Sequence, residues 1–487
     1  MEENDAVSDQ KTSLEEYRRQ REALETSVLP LATSTDGRRF DYQASLHDLD
    51  LEVGGYVAIE TPGESRLGQL LSLQMKQHEA SALDRPGTVR IRMAGGNGTL
   101  LEGREHPFHD APVRRATAEE VSAWVKHVES ESARLEVGDL ALFRGVPFSL
   151  DARGFGRHTF LCGQSGSGKT YSLGVLLEQL MMHTSLRVVV LDPNSDYVKL
   201  GEPSQKASDE AVQRYRAAGE AVAVRSGTEG ATGIRVRLRD LSPAYQAALL
   251  RLDPVADRAE YAELLALIED EDVRSLEDFA RGPAETIKLR AHNLGVDRWG
   301  IWPGPEGQSL SDELDDGAGP RCAVVDLGSL PTREEQTLVA GAVLERLWRQ
   351  RARREPVAIV IDEAHNICPA EPGDQLTSLA TADAIRIASE GRKFGLYLIV
   401  VTQRPQKVHE NVISQCDNLV LMRMNSSADL AHVAQVFSFV PPGLIDRATT
   451  FAQGEALVSG TVASHPALIR FASRITQEGG SDVAGWA

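Results

Sequence analysis

Eight residues constrain the fold of this chain more than any others: Gly163-Gln164-Ser165-Gly166-Ser167-Gly168-Lys169-Thr170, which fit the pattern G-x-x-x-x-G-K-[ST]. Glycines at these spacings let the backbone wrap inward so that its N–H groups point at phosphate oxygens, and the helix that follows adds the positive end of its dipole. The flanks agree. His158-Thr159-Phe160-Leu161-Cys162 is an apolar run of strand length, and Leu173, Leu176, Leu177 and Leu180 behind the loop recur at helical spacing. Gly163, Ser165, Gly166, Ser167 and Gly168 are therefore candidates to cradle a nucleotide's phosphates. Lys169 would place a point charge on the β- and γ-phosphates, and the Thr170 hydroxyl would ligate Mg2+, so the expected cofactors are ATP and Mg2+.

A nucleotide hydrolase needs a second strand that delivers carboxylates to the metal and the attacking water. Val357–Ile361 is apolar and ends on Asp362 and Glu363, at the carboxyl end of a strand where α/β ligands bind. Asp362 is the candidate to hold Mg2+ through a water, and Glu363 to polarise the hydrolytic water. Adjacent acids at the end of a buried strand are costly unless a metal or hydrogen bonds compensate them. Asp362-Glu363-Ala364-His365 also spells the box of superfamily-two helicases. Their Ser-Ala-Thr and Q-x-x-G-R-x-x-R motifs are missing, however, and the 193 positions between Lys169 and Asp362 are too many for them.

From Phe148 onward, near-continuous Val/Ile/Leu runs alternate with helical stretches: 158–162, 187–192, 221–226, 321–327, 357–363, 396–403 and 418–424. Such runs mark strands covered on both faces, hence an α/β fold with a mostly parallel sheet. The expected core is 148–241 with 301–475, interrupted by a helical insertion at 242–300 that leads to a turn-rich acidic loop at 303–320. GEALVSG (454–460) and ALIRF (467–471) have the length of edge strands, and 476–487 is expected to be a flexible tail. Ahead of the core, residues 1–36 form a partly helical extension, and 37–116 break into short runs with Gly, Pro and Asn turns, as in a small β-sandwich or barrel. A linker helix then occupies 117–147, opened by a Thr117/Glu120 capping box.

Composition narrows the partners. Lys plus Arg total 52 against 71 Asp plus Glu, a formal charge of -19, which excludes a generally basic nucleic-acid or membrane coat but leaves room for a local basic strip. The opening MEENDAVSDQ is acidic and polar, so no secretory leader is expected, and no apolar run reaches the ~18 residues of a membrane span. Cys162, Cys322, Cys368 and Cys416 form no C-x-x-C pair and fit free thiols in a cytoplasmic protein. His106 and His109, an H-x-x-H without a third ligand, fit surface histidines.

LDPNSDY (191–197), EGRKFG (390–395), VVTQRPQKV (400–408) and ISQCDNLVLMR (413–423), in that order, resemble motifs of the HerA family of motor ATPases, which sits with FtsK-type translocases in the additional-strand class of P-loop proteins. Asn194-Ser195-Asp196 departs from the family's usual His-Gly-Glu but keeps an acid before Tyr197. The resemblance spans about 140–475 and implies a RecA-like core with a small N-terminal β-barrel. Gln403, ending a buried strand, can sense the γ-phosphate or orient water, or simply hydrogen-bond there, and Asp192 can order the nucleotide site from the side or serve the turn alone. Arg392, between glycines in a helix-to-strand turn, is the candidate arginine finger in trans. Arg386, Arg423 and Arg157 are its rivals, and Arg157 is also a nucleotide-side candidate. A trans finger implies a ring, by resemblance a homohexamer threaded by DNA, with Arg404 and Lys407 as candidate phosphate contacts. The family implies a partner nuclease or anti-phage effector docked on the barrel side. The alternatives are a hexameric scaffold that regulates an effector without translocating, and a conjugation-type motor.

Overall fold

The computed structural model describes residues 2–47, 49–80, 89–102, 106–128, 134–268, 285–303, 309–315 and 319–480. The chain divides into two units: Met1–Glu129 with Leu140–Pro147 and Ser438–Arg447, and Ser130–Asp139 with Phe148–Phe437 and Ala448–Ala487.

The first unit is built on seven antiparallel strands: β1 (Leu31–Ser34), β2 (Arg39–Ser45), β3 (Tyr56–Thr61), β4 (Glu64–Leu70), β5 (Gln74–Ala80), β6 (Val89–Leu100) and β7 (Phe108–Arg115). They run in the order β2-β1-β7-β3-β4-β6, and pairing of β2 with β6 closes six of them into a barrel, with β5 continuing outward from β6. Closure gives the six barrel strands partners on both sides and leaves β5 as the edge. Alternation puts Phe40 and Tyr42 of β2 inside, where Val57, Ile59, Leu70, Phe108 and Val113 complete the core. Helix α1 (Glu2–Thr26) carries Leu24, which with Val28 packs on Val89, Ile91 and Met93 of β6, and Glu25 accepts the Arg92 amide at 2.8 Å. Helix α2 (Ala118–Val128) starts on a reciprocal cap: the Thr117 amide donates to Glu120 and the Glu120 amide to the Thr117 hydroxyl.

The second unit holds β8 (Arg134–Leu140), β9 (Pro147–Asp151), β10 (His158–Cys162), β11 (Arg187–Asp192), β12 (Val222–Ser226), β13 (Cys322–Asp326), β14 (Val357–Ile361), β15 (Leu396–Thr402), β16 (Cys416–Met422), β17 (Glu455–Gly460) and β18 (Ala467–Phe471). Their order is β12-β13-β11-β14-β15-β10-β16-β17-β18-β8-β9. Neighbours from β12 to β16 pair in parallel, and β17 and β18 add on antiparallel. Every residue of β10, β13 and β14 is buried, as expected of strands with helices on both faces, each such Val, Leu or Ile contributing about 1.5–3 kcal/mol. Strand β15 lies between β10 and β14 and pairs in parallel with both. No helix among the described residues is long and apolar enough to cross a membrane, and all four cysteines are buried and unbonded to one another.

Several boundaries differ from the sequence-based expectation. The barrel begins at Leu31, not 37, because the four-residue β1 is too short to show a period of its own. The helix expected to fill 117–147 stops at Val128; Arg134–Leu140 instead alternates, burying Leu135, Val137 and Leu140, and joins the core sheet beside β18. Helices at Pro243–Leu249, Arg258–Ile268 and Glu285–Leu294 lie within the insertion, of which 269–284 is outside the described residues. The acidic loop at 303–320 contains a helix, Leu310–Asp315, which buries Leu310 and Leu314 and ties the Ser309 amide to Asp312; 304–308 and 316–318 are outside the described residues. Of the expected tail, Thr476–Gly480 is bonded to the core, with Thr476 only 3% exposed, and 481–487 is outside the described residues.

Candidate nucleotide site

The loop leaving β10 turns through two left-handed glycines, Gly166 at φ +72° and Gly168 at φ +95°, before helix α3 (Lys169–His183) begins. A side chain at Gly168 would cost about 1–2 kcal/mol in backbone strain alone. Neighbouring strands hold the loop open: the Gln164 amide donates to Arg423 O at 2.9 Å, Arg423 Nη2 to Gly166 O at 3.0 Å, and the Gly454 amide to Ser167 O at 3.0 Å. The Ser167 hydroxyl is fully buried with no partner among the described residues, as suits a loop whose donors await an anion.

Beside it, the end of β14 presents the two acids. Glu363 is held at φ +41°, a left-handed conformation that non-glycine residues keep only where their surroundings impose it, typically at functional sites. Its Oε1 lies 3.3 Å from Lys169 Nζ and its Oε2 3.2 Å from His365 Nδ1. Burial works to raise the Glu363 pKa, but the His365 hydrogen bond and the Lys169 ammonium outweigh it, and the carboxyl sits below its ordinary value. Asp362 is fully buried, and desolvation pushes it up to about 7 despite Lys169.

Asp192, pushed up to about 6 by burial, accepts the amides of Asn194, Asp196 and Tyr197 and so shapes the turn after β11. That turn carries Asp196, whose Oδ2 is 3.4 Å from Thr170 Oγ1. Carboxylate oxygens of Asp192, Asp196 and Asp362 all lie within 4.8 Å of one another. Three acids crowded at low solvent exposure beside a hydroxyl form the hard-oxygen donor set that Mg2+ selects, so these residues fit a divalent cation. Neither Asp196 nor His365 carried an expected role at the site from the sequence. Asp196 stands in a motif that departs from its family, and His365 is brought into the site only by Glu363 and by Thr402 at the end of another strand.

Gln403, immediately after β15, enters the same cleft of about 770 Å³, whose walls also include Ser165, Gly166, Gly168, Lys169, Thr170, Asp196 and Glu363. The sequence pattern gave no sign of the opposite wall, made by Gln453, Arg470–Ser473, Glu478 and Gly480, because those residues follow the motifs and reach the cleft only through β17 and β18.

The arginines separate. Arg157 precedes β10 and is about 16 Å of strand away from the phosphate loop, so it is removed from the nucleotide bound by its own chain, which corrects its expected role. It lies 3.3 Å from Asp417, and Arg392 donates to the same carboxylate at 2.6 Å. Arg423 is committed to the chain's own phosphate loop, and Arg386 pairs with Asp383 at 3.3 Å and stacks over Trp348. Arg404 and Lys407 are exposed in the turn after β15.

Residues 135–276 match the family model described as "Helicase HerA, central domain". A DNA double-strand break repair helicase HerA of Sulfurisphaera tokodaii is 24% identical over 79% of this chain and 78% of its own length, and the HerA helicase of Pyrococcus furiosus is 24% identical over 69% of each. Among solved structures, VirB4 of Thermoanaerobacter pseudethanolicus aligns with a TM-score of 0.49 at 19% identity, covering 71% of this chain and 98% of that one. With a phosphate loop and an acidic strand end meeting in one cleft, the chain has the core of a P-loop ATPase, and its sequence is similar to HerA helicases.

Proposed function

We propose that this chain is a ring-forming motor that spends ATP to move along DNA, in company with a nuclease or another effector. The observation that carries the reading is a division of labour across one sheet. Lys169, Glu363 and Gln403 share the cleft at the carboxyl ends of the strands, whereas Arg392 and Arg157 stand with Asp417 at the amino ends, beyond reach of their own nucleotide. An arginine placed there has a catalytic use only on a neighbouring copy's site, and heterologous contacts closing by rotation give a ring, by family resemblance a hexamer.

The chemistry follows from the geometry. Before nucleotide arrives, Lys169 is held by Glu363. A γ-phosphate competes for the ammonium and frees Glu363, already favoured as the carboxylate, to accept a proton from water. Gln403 orients that water without itself taking the proton. Thr170, Asp362 and Asp196 would hold Mg2+, which when bound supplies charge neutralisation on the phosphates. Arg392 of an adjacent copy completes the charge balance at the γ-phosphate.

Turnover of two variants tests the engine. Glu363→Gln is expected to bind ATP and hydrolyse it about 10²–10⁴-fold more slowly, and Lys169→Ala to lose binding. Parent-like turnover in both would end the reading. DNA as the track is supported by the relatives' names, repair helicases of double-strand breaks. Arg404 and Lys407, exposed in the turn after β15, are the proposed contacts to backbone phosphates, so affinity should fall steeply with salt, and their double alanine variant should lose DNA stimulation while keeping basal turnover. A triplex-displacement assay separates motor from scaffold: a motor strips the third strand, and a scaffold leaves it in place.

A further inference from the structure

Beyond β18 the chain does not leave the fold. Between Arg474 and Gly480 six backbone amides donate back into it: Arg474 to the Tyr171 hydroxyl at 2.7 Å, Ile475 and Thr476 to the two Glu178 oxygens at 3.0 and 2.7 Å, Gln477 to Glu202 O at 2.9 Å, Gly479 to Asp196 O at 2.9 Å, and Gly480 to Ser195 O at 3.2 Å. The Thr476 hydroxyl adds a third donor to Glu178 at 2.7 Å, and the Arg474 guanidinium lies 3.8 Å from the same carboxylate and packs over the Tyr197 ring. Glu178 is 1% exposed. A buried carboxylate with this set of partners is a strong, charge-assisted anchor.

The two ends of the segment grip different things. Glu178 belongs to α3, the helix that opens with Lys169 and Thr170, eight residues or about 12 Å from Thr170 along the axis. Gly479 grips the turn that carries Asp196, so closely that a Cβ would sit 1.9 Å from Ser195 O. Across the gap, Asp196 meets Thr170 at 3.4 Å.

We propose that Ser473–Gly480 is a positioning strap for the cation side of the nucleotide site: by bracing the Asn194–Asp196 turn against α3 it fixes Asp196 opposite Thr170, and so sets the affinity for Mg2+-bound nucleotide. Glu178 and Gly479 are its positioning residues. The strap deepens the nucleotide-site reading above and rests on it.

The test compares the full chain with Gly479→Ala and Glu178→Gln, using a fluorescent ATP analogue with Mg2+ or with EDTA, together with amide exchange across 194–197. Gly479→Ala is expected to weaken Mg2+-dependent binding about 10–100-fold, as loss of ligand support does elsewhere, while binding in EDTA is unchanged. Exchange at Asp196 and Tyr197 should accelerate while the start of α3 keeps its protection. Glu178→Gln keeps the shape, loses the charge and should weaken binding less; if it unfolds, Gly479→Ala, acting at the other end, still decides. Equal losses with and without Mg2+, or unchanged exchange at 194–197, would overturn the strap. If the parent bound the analogue in neither condition, the nucleotide reading would fall, and the exchange measurement would still decide whether the segment braces the turn.

Discussion

Glu363 shows how single residues are tuned at this site. Burial opposes its charge, and its ionised form survives through His365 and Lys169. His365→Ala removes one support, so the Glu363 pKa should rise and the acid limb of the ATPase pH profile should move to higher pH, measurable from initial rates across pH 5–9. His158 makes the converse case. It is fully buried, its Nδ1 accepts the Leu398 amide at 2.8 Å, and desolvation, with Arg392 second, depresses its pKa from 6.5 to about 4 against the opposing pull of Asp417. The unfolded chain therefore takes up a proton that the folded chain refuses, and stability is lost as pH falls from 6.5 toward 4, by about 3 kcal/mol from this group. Urea midpoints at pH 7 and 5 should drop more for the parent than for His158→Gln, which keeps an acceptor but cannot charge. Lys169, Thr170, Asp362 and Glu363 were legible because phosphate and metal chemistry demands those types at fixed local spacing. Asp196 meets Thr170 from 26 positions away and His365 is also tied to Thr402, 37 positions on, and no local pattern records such partners.

Elements were more legible than their partners. The seven apolar runs of the core became β10 to β16 nearly residue for residue, since apolar runs of strand length survive any topology. Their order did not show: that β15 would lie between β10 and β14, bringing Gln403 beside Glu363, is a property of pairing alone. The same blindness hid β8, whose partner β18 lies more than three hundred residues onward, and β1, whose four residues gain meaning only inside a closed ring. The barrel has its own core, and Ile59 in it is completely buried. Ile59→Ala should destabilise that unit by about 2–5 kcal/mol in denaturant titration, while nucleotide affinity, which belongs to the second unit, stays at the parent value.

For the whole molecule, the composite site proposed above makes a sharp demand. Arg392→Ala and Lys169→Ala chains should each be nearly inactive alone, yet mixing them should recover ATP turnover, because a ring containing both holds some sites with an intact lysine on one side and an intact arginine on the other. No recovery after subunit exchange would confine catalysis to the single chain. A further consequence lies in how the two units are threaded. The polypeptide returns to the barrel unit twice after first leaving it, through Leu140–Pro147 and Ser438–Arg447. Cutting the gene after residue 129 would therefore not yield a clean motor; it would strand two fragments of the missing unit inside the remaining protein. Exchanging this unit for a relative's therefore takes three coordinated grafts, one for each of its segments.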